Sequence, residues 1–118
     1  MKIELDFPPA ELFPNRSKGK HWSVTHTARS NYRQVSGWLT KHQMKDWKPT
    51  DAQIRLTITF LMPDKRLRDT DNCLAAAKAG LDGMADALGV NDRQFQPVIV
   101  YRQHGEKPGK MIVELDII

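Results

Sequence analysis

The chain has 118 residues, with 18 Lys and Arg against 14 Asp and Glu, a formal net charge of +4, and 27% charged residues. That length gives one domain, residues 1–118, with a core modest enough that pairing with a second copy would supplement it; the composition is that of a folded protein rather than a disordered one. No apolar stretch approaches the ~20 residues that span a bilayer, the charged, alternating start is not that of a signal peptide, and the lone Cys73 rules out an internal disulfide and a cysteine-based zinc site, so a cytoplasmic protein is expected.

Lys2 to Phe7 alternates polar and apolar, with Ile3, Leu5 and Phe7 on one side, which predicts a half-buried strand ended by Pro8-Pro9. Ala10 to Val24 has no period and predicts a long loop. It is basic: Arg16, Lys18, Lys20, Arg29 and Arg33 fall between Asn15 and Arg33 with no acidic residue. Thr25 is a candidate N-cap for a helix with an apolar stripe at Ala28, Tyr32, Val35 and Leu39, ending near Lys45. Trp38 borders that stripe and is expected in the core or at a dimer contact.

Ile54, Leu56, Ile58 and Phe60 alternate with Arg55, Thr57 and Thr59, the strongest strand signal in the chain, closed by Pro63. A second helical stripe at Leu74, Ala77, Leu81, Met84 and Leu88 stops at Gly89. Phe95 to Arg102 and Met111 to Ile118 are β-branched and apolar, and Gly105 to Lys110 predicts a hairpin between them. The order βαβαββ predicts an α/β (α+β) two-layer sandwich, a mixed four-stranded sheet with two helices on one face.

The chemistry concentrates between the best strand and the second helix, where Lys65, Arg66 and Arg68 lead into Asp69-Thr70-Asp71-Asn72. In extended backbone, Asp69 and Asp71 would leave on the same side. Two converging carboxylates are hard oxygen ligands for Mg2+, with Mn2+ as a substitute. Such a metal polarises a phosphodiester and activates water, while the three cations would hold the phosphate backbone. Asp at a helix start also caps free N–H groups, so the bare pair is compatible with a purely structural role. Lys78, two turns after Asp71, should lean toward the helix N-terminus and the carboxylates, or else cover core surface with its stem. Phe13 and Trp22 are candidates for stacking on unpaired bases, or for anchoring the loop. His21 and His26 have no converging partners and are expected to be polar surface.

Met62-Pro63-Asp64, a basic stretch, Asp69-x-Asp71-Asn72, a helix, and Val90-Asn91-Asp92 before a strand together resemble the RusA family of Holliday-junction resolvases of phage and prophage origin. Phe7-Pro8-Pro9 and Asn15-Arg16 add to the resemblance, which runs over nearly the whole chain. It implies a Mg2+-dependent homodimer, needing no other cofactor, that resolves four-way DNA junctions in recombination and repair by paired symmetric nicks. Asp69, Asp71 and Asp92 would be the metal-binding catalytic carboxylates and Lys78 the helix lysine; Asn15, Arg16, Lys18, Lys20, Trp22, Lys65, Arg66, Arg68 and Asn72 would face DNA. Asn91 departs from the family, which often carries a second Asp there. The competing readings are a non-catalytic branched-DNA-binding protein and another metal-dependent phosphodiesterase, such as a flap nuclease or an RNase.

One geometric question is open in the sequence. A helix from about Asn72 to Leu88 is roughly 25 Å long, and Asp92 follows its far end. Asp92 therefore joins Asp71 either through a sharp fold-back or by being supplied from a two-fold partner.

Overall fold

The computed structural model describes residues 1–14 and 22–118. In chain order it contains β1 (Lys2–Asp6), a 3-10 turn (Ala10–Leu12), α1 (Trp22–Gln43), β2 (Ile54–Met62), α2 (Thr70–Leu88), a second 3-10 turn (Asp92–Gln94), β3 (Phe95–His104) and β4 (Lys110–Ile117). The sheet order is β1-β4-β2-β3, with β4 antiparallel to both of its neighbours and β2 parallel to β3. The expected architecture holds: two helices lie on one face of a mixed four-stranded sheet.

The alternation of β2 puts Ile54, Leu56, Ile58, Phe60 and Met62 into the core, where they meet Ile3 and Leu5 of β1 and Met111, Val113 and Leu115 of β4. From the helix side, Cys73, Ala77, Leu81, Met84 and Leu88 of α2 complete it. Gly89 ends α2 in the left-handed region at φ 66°, its N–H donating back to the carbonyls of Ala85 and Asp86, as its position in the sequence predicts.

Three expectations need correction. The helix that Thr25 was expected to cap is already running at Trp22, and the Thr25 hydroxyl donates to the Trp22 carbonyl inside it. The stretch expected as an aperiodic loop therefore includes the Ala10–Leu12 turn and the start of α1. The inward face of α1 differs in part: Tyr32 is buried and Ala28 and Leu39 pack against the core as expected, but Thr25, Ser36 and Thr40 are buried too, whereas Val35 and Trp38 are exposed, Trp38 lying flat on His42. The cause is a close helix–helix approach. A Cβ on Gly80 would collide with Tyr32 and Ser36, and one on Gly83 would collide with the backbone of Arg33. Gly80 leaves room for Tyr32 and Ser36, and Gly83 for the main chain of Arg33.

Finally, β3 and β4 do not form a hairpin, because β2 lies between them. Residues 105–109 instead cross over the end of β2, where Gly105 and Gly109 press against the backbone of Met62 and Leu61. Side chains at either glycine would block that crossing, and Gly109 also takes φ 79°. Among the described residues, no helix is long and apolar enough to cross a membrane.

Candidate active site

β2, α2 and β3 form a parallel β-α-β unit, and this unit places every acidic residue of interest. β2 ends at Met62, the chain turns through Pro63–Asp69, and α2 runs back alongside the sheet. The turn is tied down by Asp64. Its carboxylate accepts two bonds from the Arg68 guanidinium, at 2.9 and 3.1 Å, and one from the Arg66 N–H at 2.9 Å. Those donors hold the Asp64 carboxyl at about 2, well below the usual range, with the Arg68 bond as the largest cause. The Arg68 guanidinium also lies over the rings of Phe7 and Phe13, 5.4 and 5.8 Å from their centroids. The Arg102 side chain donates to the Arg68 carbonyl. Arg68 thus organises the turn with a charge already paired, while Lys65 and Arg66 are exposed.

Asp69 occupies the N-cap position of α2 with extended backbone (φ −70°, ψ 145°), yet its carboxylate makes no capping bond. Its main chain still serves the helix, since the Asp69 carbonyl accepts the Cys73 N–H. Asp71 lies in the first turn of α2, not in extended chain, and one of its oxygens accepts the Asn72 N–H at 2.9 Å. The extended geometry expected for the pair therefore applies to Asp69 alone. Both carboxylates are exposed at the positive end of the helix dipole; Asp69 makes no capping bond and Asp71 uses one oxygen on the first-turn Asn72 N–H.

Asp92 lies elsewhere. The parallel register pairs Ile54 with Phe95 and Met62 with His104, so Asp92 stands at the end of the sheet where β2 begins, and Asp69 at the end where β2 stops. The short turn that carries Asp92 is built by Asn91 and Gln94. The Asn91 side chain accepts the Arg93 N–H, the Gln94 side chain accepts the Asn91 N–H, and Gln94 also donates to the carbonyls of Thr50 and Ala52.

Lys78 turns away from Asp69 and Asp71, against the lean expected of it. Its ammonium reaches Asp82 at 2.9 Å and Asp92 at 3.1 Å. Those two bonds raise the Lys78 pKa, Asp82 contributing most, and the Lys78 bond lowers that of Asp92. Among the described residues, no three His, Cys, Asp or Glu side chains come close enough together to hold a metal ion. A sharp fold-back of Asp92 to Asp71 does not occur within the chain.

Of the remaining candidates, Asn72 stands in the first turn of α2 and Trp22 is exposed at the start of α1, edge-on to His26. Asn15, Arg16, Lys18 and Lys20, together with His21, lie outside the described residues. The sequence reading missed Asn91 and Gln94 as the frame that holds Asp92. The Asn-x-x-Gln spacing of a reciprocal cap was the available signal.

A family model described as "Endodeoxyribonuclease RusA" matches residues 8–116. An uncharacterized protein of Xylella fastidiosa (strain Temecula1 / ATCC 700964) is 28% identical over 117 residues, covering 96% of this chain and 74% of that protein.

Proposed function

The chain belongs to the RusA family of endodeoxyribonucleases, which implies a Holliday-junction-resolving endonuclease, and we propose that it acts as a Mg2+-dependent homodimer whose two active sites are each shared between subunits. The observation that carries this reading is the separation of Asp92 from an exposed Asp69–Asp71 pair in which the Asp69 carboxylate makes no capping bond.

The donor set fits a hard divalent cation in kind but not in number. Asp69 and Asp71 offer carboxylate oxygens, and Mg2+ is commonly held by one or two carboxylates with waters and substrate phosphate completing the shell. Asp92 from a two-fold partner would supply the third carboxylate. The surface that such a partner would cover is open: Val98 of β3 is the register partner of buried Leu56, yet it is 41% exposed. A two-fold axis beside α2 and β3 would lay the Asp92 end of one subunit along the Asp69 end of the other, giving two equivalent sites.

When bound, the metal supplies charge stabilisation at the phosphodiester and lowers the pKa of the attacking water. The chain's own residues position the strand. Lys65 and Arg66 hold phosphates next to Asp69 and Asp71, and the Arg68–Asp64 clasp fixes the turn that presents them. Lys78 holds Asp92 in its charged form and orients it until the partner's pair takes it up. Two sites facing the two symmetric strands of a four-way junction would make paired nicks, the activity of a resolvase in recombination and repair. The motif's likeness to phage and prophage resolvases supports a phage-derived origin.

The test mixes two inactive subunits, Asp71→Asn and Asp92→Asn, on labelled four-way junction, duplex, flap and RNA substrates with and without Mg2+. A shared site predicts that the heterodimer regains one functional centre and nicks only the junction. A fully dead mixture would argue against sharing. Binding without cleavage by wild type under any metal would favour a non-catalytic DNA-binding protein, and cutting of all substrates would favour a general phosphodiesterase.

A further inference from the structure

Beside Asp69 the fold forms a cavity of about 320 Å³, at the small end of the ~300–1,000 Å³ range of ligand sites. Its aromatic wall is Phe7 and Phe13, stacked at 5.9 Å with 21° between ring planes. Pro8 and Pro63 add apolar surface, while Arg66, Asn72 and Asp69 contribute polar groups. Phe7 is anchored edge-on against Phe60 of the core. Phe13 lies on the short segment after the Ala10–Leu12 turn.

The electrostatics of the cavity separate two kinds of occupant. Two guanidinium groups line the cavity. That of Arg68 is bound bidentately to Asp64 and lies over the two rings, so its charge is offset; that of Arg66 is exposed and suited to the backbone phosphate beside the cavity, while the Asp69 carboxylate opposes an anion within it. A flat, neutral, aromatic group with hydrogen-bonding edges fits better: Phe7, Phe13 and the planar Arg68 guanidinium form a lining of flat groups that favours a planar aromatic occupant, and Asn72 can both donate and accept. Resting on the reading that a DNA strand is held at Asp69, we infer that this cavity receives one unpaired nucleobase next to the scissile phosphate. A base at a junction centre has lost part of its pairing and stacking, which lowers the cost of turning it out of the helix.

The test is a double-mutant cycle on binding, run without metal so that nothing is cut. Wild type and Phe13→Leu, which keeps apolar bulk but removes the π-face, are titrated against intact four-way junctions. They are also titrated against junctions carrying a single abasic nucleotide at each position around the crossover. The expected result is about tenfold weaker binding of the intact junction by the variant, within the range of one base–aromatic stack. At one abasic position that difference should vanish, because the base that Phe13 contacts is gone. Equal loss on every substrate, or no loss at all, overturns the inference; equal loss is also what an occupant from the chain's own 15–21 segment would produce. A wild type that binds no junction would instead count against the resolvase reading.

Discussion

Gly83→Ala should destabilise the fold although it adds a better helix former to the interior of α2. The substitution contributes ~1 kcal/mol of helix propensity. Against this, the new Cβ would overlap the Arg33 carbonyl oxygen and lie 2.9 Å from the carbonyl carbon and 3.2 Å from the Cα. All three atoms are main chain within α1, so no rotamer change relieves the clash and the two helices must separate. Overpacking costs roughly 1–3 kcal/mol, and a backbone-on-backbone collision belongs at the top of that range. The net penalty is about 2 kcal/mol, from ~3 less ~1. For a chain of this length that is a fall in Tm of roughly 8 °C, measurable by circular dichroism and checked by the urea midpoint. Gly37→Ala is the control, since its Cβ would come no closer than 3.2 Å to the Gly83 carbonyl oxygen; it should stay within about 1 kcal/mol of wild type. A Gly83→Ala protein that melts at or above the wild-type temperature would refute the close approach of α1 and α2.

Arg68→Lys should raise the Asp64 pKa from about 2 toward the ordinary ~3.9, read by NMR titration of the carboxyl carbon. A depressed folded-state pKa contributes stability that is present above the unfolded value and lost as pH falls toward the folded one, so this difference from wild type should fade below pH ~4. Asn91→Ala removes the cap of the turn carrying Asp92 and should cost ~1 kcal/mol; cleavage should fall while junction affinity is retained, whereas Asn91→Asp should preserve both. EDTA should abolish cleavage without abolishing junction binding, and Asp71→Asn should do the same in Mg2+, since loss of a carboxylate also relieves repulsion of phosphate; a gel-shift and nicking assay on one substrate reads both.

The elements that the sequence reveals most clearly are those whose packing follows the common rules. The alternation from Ile54 to Phe60 marks a strand whose apolar side is buried, and the stripe from Ala77 to Leu88 marks the inward face of α2. Periodicity picks Val35 for the inward face of α1 as well, and there it fails. At a crossing where Tyr32 and Ser36 lie on Gly80 and the Arg33 main chain lies on Gly83, Ser36 and Thr40 go inward and Val35 goes out. The glycines of α2 and the small residues of α1 are each visible in the chain, but their apposition is a tertiary fact. The five residues between β3 and β4 carry the Gly and Pro of a turn. A crossing over the end of a neighbouring strand needs the same residues as a hairpin, so composition does not distinguish the two.

The three aspartates show the same division between pattern and topology. Asp69 and Asp71 are close in the chain and remain at one helix end. Asp92 was tied to them by resemblance, and its place is decided by the direction of β3. Had β3 run antiparallel to β2, it would have started at the end where β2 stops, near Asp69. Because β3 is parallel, α2 must span the sheet first, and the start of β3 is left at the opposite end, with Asp92 bonded to Lys78. A helix of 19 residues covers about 28 Å at 1.5 Å per residue, and no side chain closes such a gap. A parallel β-α-β unit therefore separates, within one chain, residues that a two-fold partner can bring together, because the two-fold reverses the direction of the second copy. With the site shared as proposed, the Lys78–Asp92 pair would be a resting arrangement, and Lys78→Ala should leave folding intact while loosening the hold on Asp92. Its Asp92 carboxyl should titrate higher than in wild type by NMR; an unchanged titration would mean that Lys78 does not hold Asp92 in solution.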